Sequence, residues 1–229
     1  MTGIDAGPLH HHILTELIRN GFAPSVAEMA TWSDSDEAAV RVALRALAAE
    51  HGVVLHPGSD EVWIIHPFST APTPFLLRDL DGMEWWGNCA WCALGAAALL
   101  DRELSITTTL GANAGQVTLH VRDGQLRASD LLVHFPVPMS KAWDNVVYTC
   151  STMLVFDSES AVDQWCRRHR LARGDVLPVL AAWEFARDWY GRHLSPDWRK
   201  WTVGQARKLF ERHGLTGPIW QLPEAGERF

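Results

Sequence analysis

The segment Trp85-Trp86-Gly87-Asn88-Cys89-Ala90-Trp91-Cys92-Ala93-Leu94-Gly95 decides how the rest of the chain is read. Asn88 is a good N-cap, and the apolar run from Cys89 to Leu100 predicts a helix with both cysteines in its first turn. Unpaired backbone N–H groups and the helix dipole favour a thiolate there, so either thiol ionises more readily than an unperturbed one. Three residues apart, the two sulfurs share a helix face. A redox dithiol of this spacing normally follows a strand in a βαβ context, and that order of elements is not found here. A structural zinc site normally needs a second ligand pair at similar spacing, whereas Cys150 and Cys166 stand sixteen residues apart with no His-x3-His run beside them. The remaining alternative is a buried, unreactive thiol, free cysteine being among the most buried residue types.

Composition bounds the rest. The 229 residues suffice for one large or two small domains; 47% hydrophobic and 21% charged residues are ordinary globular usage, and no repeat of fixed period is visible. Twelve Trp against two Tyr point to wide apolar pockets or helix interfaces. No apolar run reaches the ~18 residues of a transmembrane helix, and the N-terminus shows neither a basic leader nor a signal-type apolar core, so a cytoplasmic protein without membrane association is expected. Cysteines at 89, 92, 150 and 166 are too few and too clustered for the disulfide framework of a secreted protein, which makes reduced thiols the default. A formal net charge of -7 argues against nucleic acid and anionic lipid as partners and leaves small molecules.

Before the cysteine segment, His11 to Arg19, Ser25 to Thr31 and Ser33 to His51 read as helices, the last started by Ser33 and Asp36 and stopped by Gly52. Val53-Val54-Leu55 and Val62-Trp63-Ile64-Ile65 flank a Pro57-Gly58-Ser59-Asp60 turn and predict a hairpin. Three helices and a hairpin are the order of a winged helix. Residues 1–60, however, hold three Arg and no Lys against eight acidic residues, the wrong charge for a DNA reader. His10-His11-His12 point in different directions on a helix and read as a solvated N-terminus. The stretch 66–75, with three prolines, reads as a linker packed by its Phe residues, excluded from helix and central strand.

Beyond the cysteine helix, Met83 to Trp86, Ser105 to Thr109, Gln116 to Arg122, Leu131 to Phe135 and Tyr148 to Phe156 are strand-like. Ser158 to His169, Leu177 to His193 and Thr202 to His213 are helical. The result is an α+β reading. Basic residues outnumber acids eleven to six between 161 and 215, which a solvated helix face explains. Cys166 reads as a helix packing residue.

At Trp91-Cys92-Ala93-Leu94-Gly95 the chain resembles the organomercurial (alkylmercury) lyases, whose reactive cysteine sits in a Trp-Cys-Ala-Leu-Asp run at a helix start. The resemblance continues through Cys150, Phe156-Asp157-Ser158, Trp165 and His169, then Glu184-Phe185 and Arg192-His193-Leu194, so it spans roughly residues 10–195. It implies a winged-helix-like domain and linker over 1–74, a thiol-bearing lyase-like α+β domain with a mixed or antiparallel sheet over 75–195, and a helical extension over 196–229. It also implies that Cys92 attacks mercury, that Cys150 adds a second sulfur and that an acid protonates the departing carbon, with mercury as substrate ligand and no added cofactor. The family's acid falls at Gly95, which carries no side chain. Cys89 is one substitute, and His134 and Asp144 are others near Cys150 in sequence. In a second register Cys89 is the nucleophile and Cys92 stands at the acid position. In either register Trp85, Trp86 and Trp91 are expected to line the pocket beside Gly95. Two rival readings keep the scaffold: a soft-metal binding protein using Cys89, Cys92 and Cys150, and an enzyme acting on an unrelated metabolite through one cysteine.

Overall fold

The computed structural model describes residues 4–111, 113, 115–127, 130–222 and 229. Leu9, Ile13, Leu14 and Leu17 give helix α1 (Ala6–Asn20) a buried stripe. Gly21, at φ 82°, ends it by donating its N–H to the Leu17 carbonyl at 2.8 Å. A capping box of Ser25 and Glu28 starts α2 (Val26–Trp32). The third helix begins later than expected: α3 (Glu37–Ala49) is capped by Asp36, whose carboxylate accepts the Ala39 N–H at 2.8 Å. Ser33 instead closes α2 with its hydroxyl on the Met29 carbonyl. Asp34, in the left-handed region at φ 49°, breaks the chain between the two helices. The predicted hairpin forms as β1 (Val54–Leu55) and β2 (Val62–Ile65).

The proline-rich stretch is not only a linker. It contains β3 (Phe68–Ser69), paired antiparallel with β2 on one side and with β5 (Glu84–Gly87) on the other. Prolines 67, 72 and 74 flank this dipeptide without interrupting it, so both residues keep their ladder donors. Phe68 and Phe75 are buried as expected. The strands β4 (Leu76–Asp79), β6 (Leu104–Thr109), β7 (Gln116–Arg122) and β8 (Gln125–Arg127) complete one sheet ordered β1-β2-β3-β5-β4-β6-β7-β8. It runs without a break past residues 74 and 75. A second sheet takes β9 (Leu132–Phe135) between β10 (Val155–Phe156) and β11 (Asp175–Pro178), again antiparallel.

The cysteine helix α4 (Ala90–Leu100) is apolar on every side, with all residues from Ala90 to Ala97 buried, and lies between the large sheet and α7 (Val179–Tyr190). Two expectations give way nearby. Residues 148–156 are not one strand, because α5 (Val146–Thr152) occupies most of them before β10. Asn145 caps that helix by accepting the Tyr148 N–H at 3.0 Å, and the Thr149 hydroxyl bonds the Ala142 carbonyl at 3.0 Å. These local bonds override the strand preference of its β-branched residues. Leu177, expected in a helix, belongs to β11, and α7 starts only after Pro178. The remaining helices, α6 (Glu159–His169) and α8 (Val203–Arg212), start on the Ser158 and Thr202 caps that the sequence offers. The fold is α+β with antiparallel sheets. No helix among the described residues is long and apolar enough to cross a membrane.

Candidate thiol site

The site begins where β5 hands over to α4. A Cβ on Gly87 would stand 2.6 Å from Ala93 Cα and 3.0 Å from Ala93 N, so only glycine lets the helix fold back onto its strand. Because backbone cannot yield as a side chain does, Gly87→Ala is expected to lower stability by roughly 1–3 kcal/mol. A denaturant midpoint that drops with unchanged slope checks this. Asn88 is not the cap: its amide turns to His66 Nε2 at 3.3 Å. The cap is Cys89, extended at φ -153°, whose Sγ accepts the Cys92 N–H at 3.2 Å. Cys92 therefore sits at the third helical position, inside the first turn.

Cys150 arrives from the last turn of α5, and the Met153 carbonyl just beyond it accepts the Ala90 N–H at 3.1 Å. This bond satisfies a free donor of α4 and ties the two cysteine segments together. The sulfurs of Cys92 and Cys150 and a ring nitrogen of His66 all lie within 4.8 Å of one another, and all three residues are buried. Cys150 Sγ is 3.9 Å from His66 Nε2, and Cys92 Sγ is 3.3 Å from the Tyr190 hydroxyl. Cys89 Sγ is outside that set of three; it lies beside both thiols and 3.8 Å from Met153 Sδ.

Cys92 is the acidic thiol of the group. Burial pushes it up, but hydrogen bonds from Cys150 and Cys89, the neighbouring His66 and the Tyr190 hydroxyl outweigh burial and hold it well below the ordinary thiol value. Its neighbours keep their protons. Burial pushes Cys89 up, hydrogen bonding to Cys89 and Cys92 pushes Cys150 up, and burial together with the Cys92 charge raises Tyr190. Burial brings His66 down to about 4, so its imidazole is neutral at pH 7 and offers a lone pair.

Cys92 and Cys150 form part of the wall of a small cavity. Five tryptophans (Trp91, Trp143, Trp189, Trp198 and Trp201), Tyr190, Phe229 and four histidines supply most of the rest, with Tyr190 beside the thiols. The wall draws on residues from His10 to Phe229, so the N-terminal helix and the C-terminal segment both close it. His10 is accordingly not solvated: it is fully buried, stacked on Trp198 at 3.7 Å, and burial brings it down to about 3. Lys200, held well below its ordinary value by burial, lies over the Trp143 ring and donates to the His51 carbonyl at 3.3 Å.

Of the tryptophans expected around the pocket, only Trp91 is on this wall. Strand alternation takes Trp85 beneath α1, where its indole N–H donates to the Ile18 carbonyl at 3.1 Å, and turns Trp86 to the opposite face of β5. The two other candidate acids are also elsewhere. Asp144 is exposed, and His134 sits in the small sheet, bonded to the Arg173 carbonyl at 2.6 Å. Cys166, buried 3.7 Å from His134 Nε2, belongs neither to the set of three ligands nor to the cavity wall. Sequence reasoning missed His66 and Tyr190.

The model of the alkylmercury lyase family matches residues 68–191, more than half of the chain. The chain belongs to the alkylmercury lyase family. Among solved structures, the mercury-bound form of MerB2 is similar, with a TM-score of 0.65 at 19% sequence identity over 85% of this chain and 94% of that one. At that identity the likeness is one of fold. No curated protein matches the chain. Gly95, where the sequence resemblance places an acid, is closely packed. A Cβ there would stand 2.0 Å from Tyr190 Cδ2, 2.6 Å from Cε2 and 2.8 Å from Cγ. The space that a side chain on residue 95 would enter is filled by the tyrosine ring.

Proposed function

We propose that the protein takes an organomercurial as substrate, cleaves its carbon–mercury bond and holds the metal on Cys92 and Cys150 until external thiols carry it off. The observation that carries this reading is the convergence of two buried sulfurs and the His66 nitrogen on the wall of a cavity lined mostly by aromatic rings. Mercury is soft, so paired sulfur ligands suit it better than carboxylate, and aromatic walls suit an apolar organic substituent. Cys92 enters as the thiolate and displaces the thiolate that carries the substrate. Cys150 then bonds the metal and gives up its thiol proton. The carbon–mercury bond breaks as its electron pair takes a proton, and the hydrocarbon leaves. Every ligand and proton comes from side chains, so the reading needs no resident cofactor. It does need reduced thiols, which suits a reducing compartment such as the cytoplasm.

The test is to incubate reduced protein with methylmercury and excess thiol while following methane and bound mercury together. Methane in molar excess over protein is expected. A second reading is favoured by His66, which completes a two-thiol, one-imidazole set that mercury, copper(I) or zinc accepts without bond cleavage. One equivalent of tightly held metal with no methane, weakened by His66→Ala, would establish that reading instead.

A further inference from the structure

Protonolysis requires a donor within hydrogen-bond reach of the departing carbon. Residue 95, where the family resemblance places an acid, is a glycine in this chain. Its missing side chain and the position of Tyr190 are one feature: the notch left on α4 admits a ring from α7, and the hydroxyl at the end of that ring reaches Cys92 Sγ at 3.3 Å. The phenol lies on the same cavity wall as both sulfurs. We propose that Tyr190 is the proton donor to the carbon released from mercury, a role that rests on the lyase reading above.

Several other groups on that wall face elsewhere. The Thr149 hydroxyl donates to the Ala142 carbonyl at 3.0 Å. Lys200 faces the Trp143 ring and the His51 carbonyl, and His10 is stacked flat on Trp198. Cys150 is needed on the metal. The phenol carries its proton at neutral pH and presents it beside the sulfur that takes the metal. In the step itself the carbon–mercury bond breaks and its electron pair takes the Tyr190 O–H proton. Mercury stays on the sulfurs of Cys92 and Cys150. The proton that Cys150 loses on binding the metal restores the phenol; external thiol, together with the thiolate displaced on capture, then carries mercury off as its dithiolate and returns Cys92 as thiolate and Cys150 as thiol.

Tyr190→Phe keeps the ring that fills the Gly95 notch and removes only the hydroxyl. With methylmercury and excess thiol, this variant is expected to capture mercury with the native stoichiometry while releasing methane about 10²–10⁴-fold more slowly, the range of a lost general acid. Release at the native rate would overturn the proposal. Loss of capture together with release would overturn it as well, because Tyr190 would then serve to position Cys92. If the native protein itself captures mercury without methane, the lyase reading fails first and the donor role goes with it.

Discussion

Cys92→Ser is expected to reduce methane release from methylmercury by on the order of 10⁴ or more, the scale on which loss of an enzyme nucleophile acts, and to abolish retention of mercury through dialysis. The serine oxygen is a hard ligand and stays protonated, so it can neither displace a thiolate from mercury nor hold the metal. Cys150→Ser is expected to behave differently: Cys92 remains to capture methylmercury, and release is lost because no second sulfur weakens the bond. Cys89→Ser separates the two registers of the motif. Serine is itself a preferred N-cap and its oxygen can accept the Cys92 N–H that Cys89 Sγ accepts at 3.2 Å, so this variant is expected to keep both capture and release. Loss of capture in Cys89→Ser with retention in Cys92→Ser would make Cys89 the nucleophile and sink the assignment. Electrospray mass spectra of the mercurated proteins, read beside headspace methane, decide between these outcomes.

Local signals made part of this legible in the sequence. The helix starts read at Ser25 and Thr202 are kept by the structure, where capping boxes with Glu28 and Gln205 hold them, whereas the caps read at Ser33 and Asn88 fall on Asp36 and Cys89. Where a cap and a propensity disagreed, the propensity misled: Val146-Val147-Tyr148-Thr149 looks like strand, and the Asn145 cap makes it helix. The alternation of β5 was readable in principle, yet Trp85 and Trp86 were grouped with Trp91 because they are close in sequence, not because they share a face. The two cysteines whose sulfurs converge were visible as thiols. Their partners were not, since Tyr190 stands 98 residues from Cys92 and His66 stands 84 from Cys150. No spacing rule reaches that far. The one trace of Tyr190 was Gly95 itself, because a glycine inside a wholly apolar helix costs ~1 kcal/mol relative to alanine and implies a neighbour that uses the space.

Gly95→Asp, which puts an acid where the sequence resemblance places one, is expected to damage the protein. Its Cβ would lie 2.0–2.8 Å from three Tyr190 ring atoms. That ring is 2% exposed and packed against Trp91 and His193, with centroids at 5.4 and 4.9 Å, so moving it gives up those contacts. Overpacking costs about 1–3 kcal/mol, and a carboxylate buried without a partner adds at least as much. At about 2–4 °C per kcal/mol for a chain of this size, the melting temperature should fall by on the order of 10 °C. Tyr190→Ala also destabilises, through the cavity it leaves, but the double variant Gly95→Asp/Tyr190→Ala puts the new side chain into the vacated space. The two changes should therefore be strongly non-additive, with the double variant melting above Gly95→Asp alone. It should also release methane faster than Tyr190→Ala, because an acid again stands three residues after Cys92. Additive losses of stability would mean that ring and notch are not coupled. Recovered stability without recovered release would mean that the notch matters for packing alone, and that the proton reaches the carbon from elsewhere on the cavity wall.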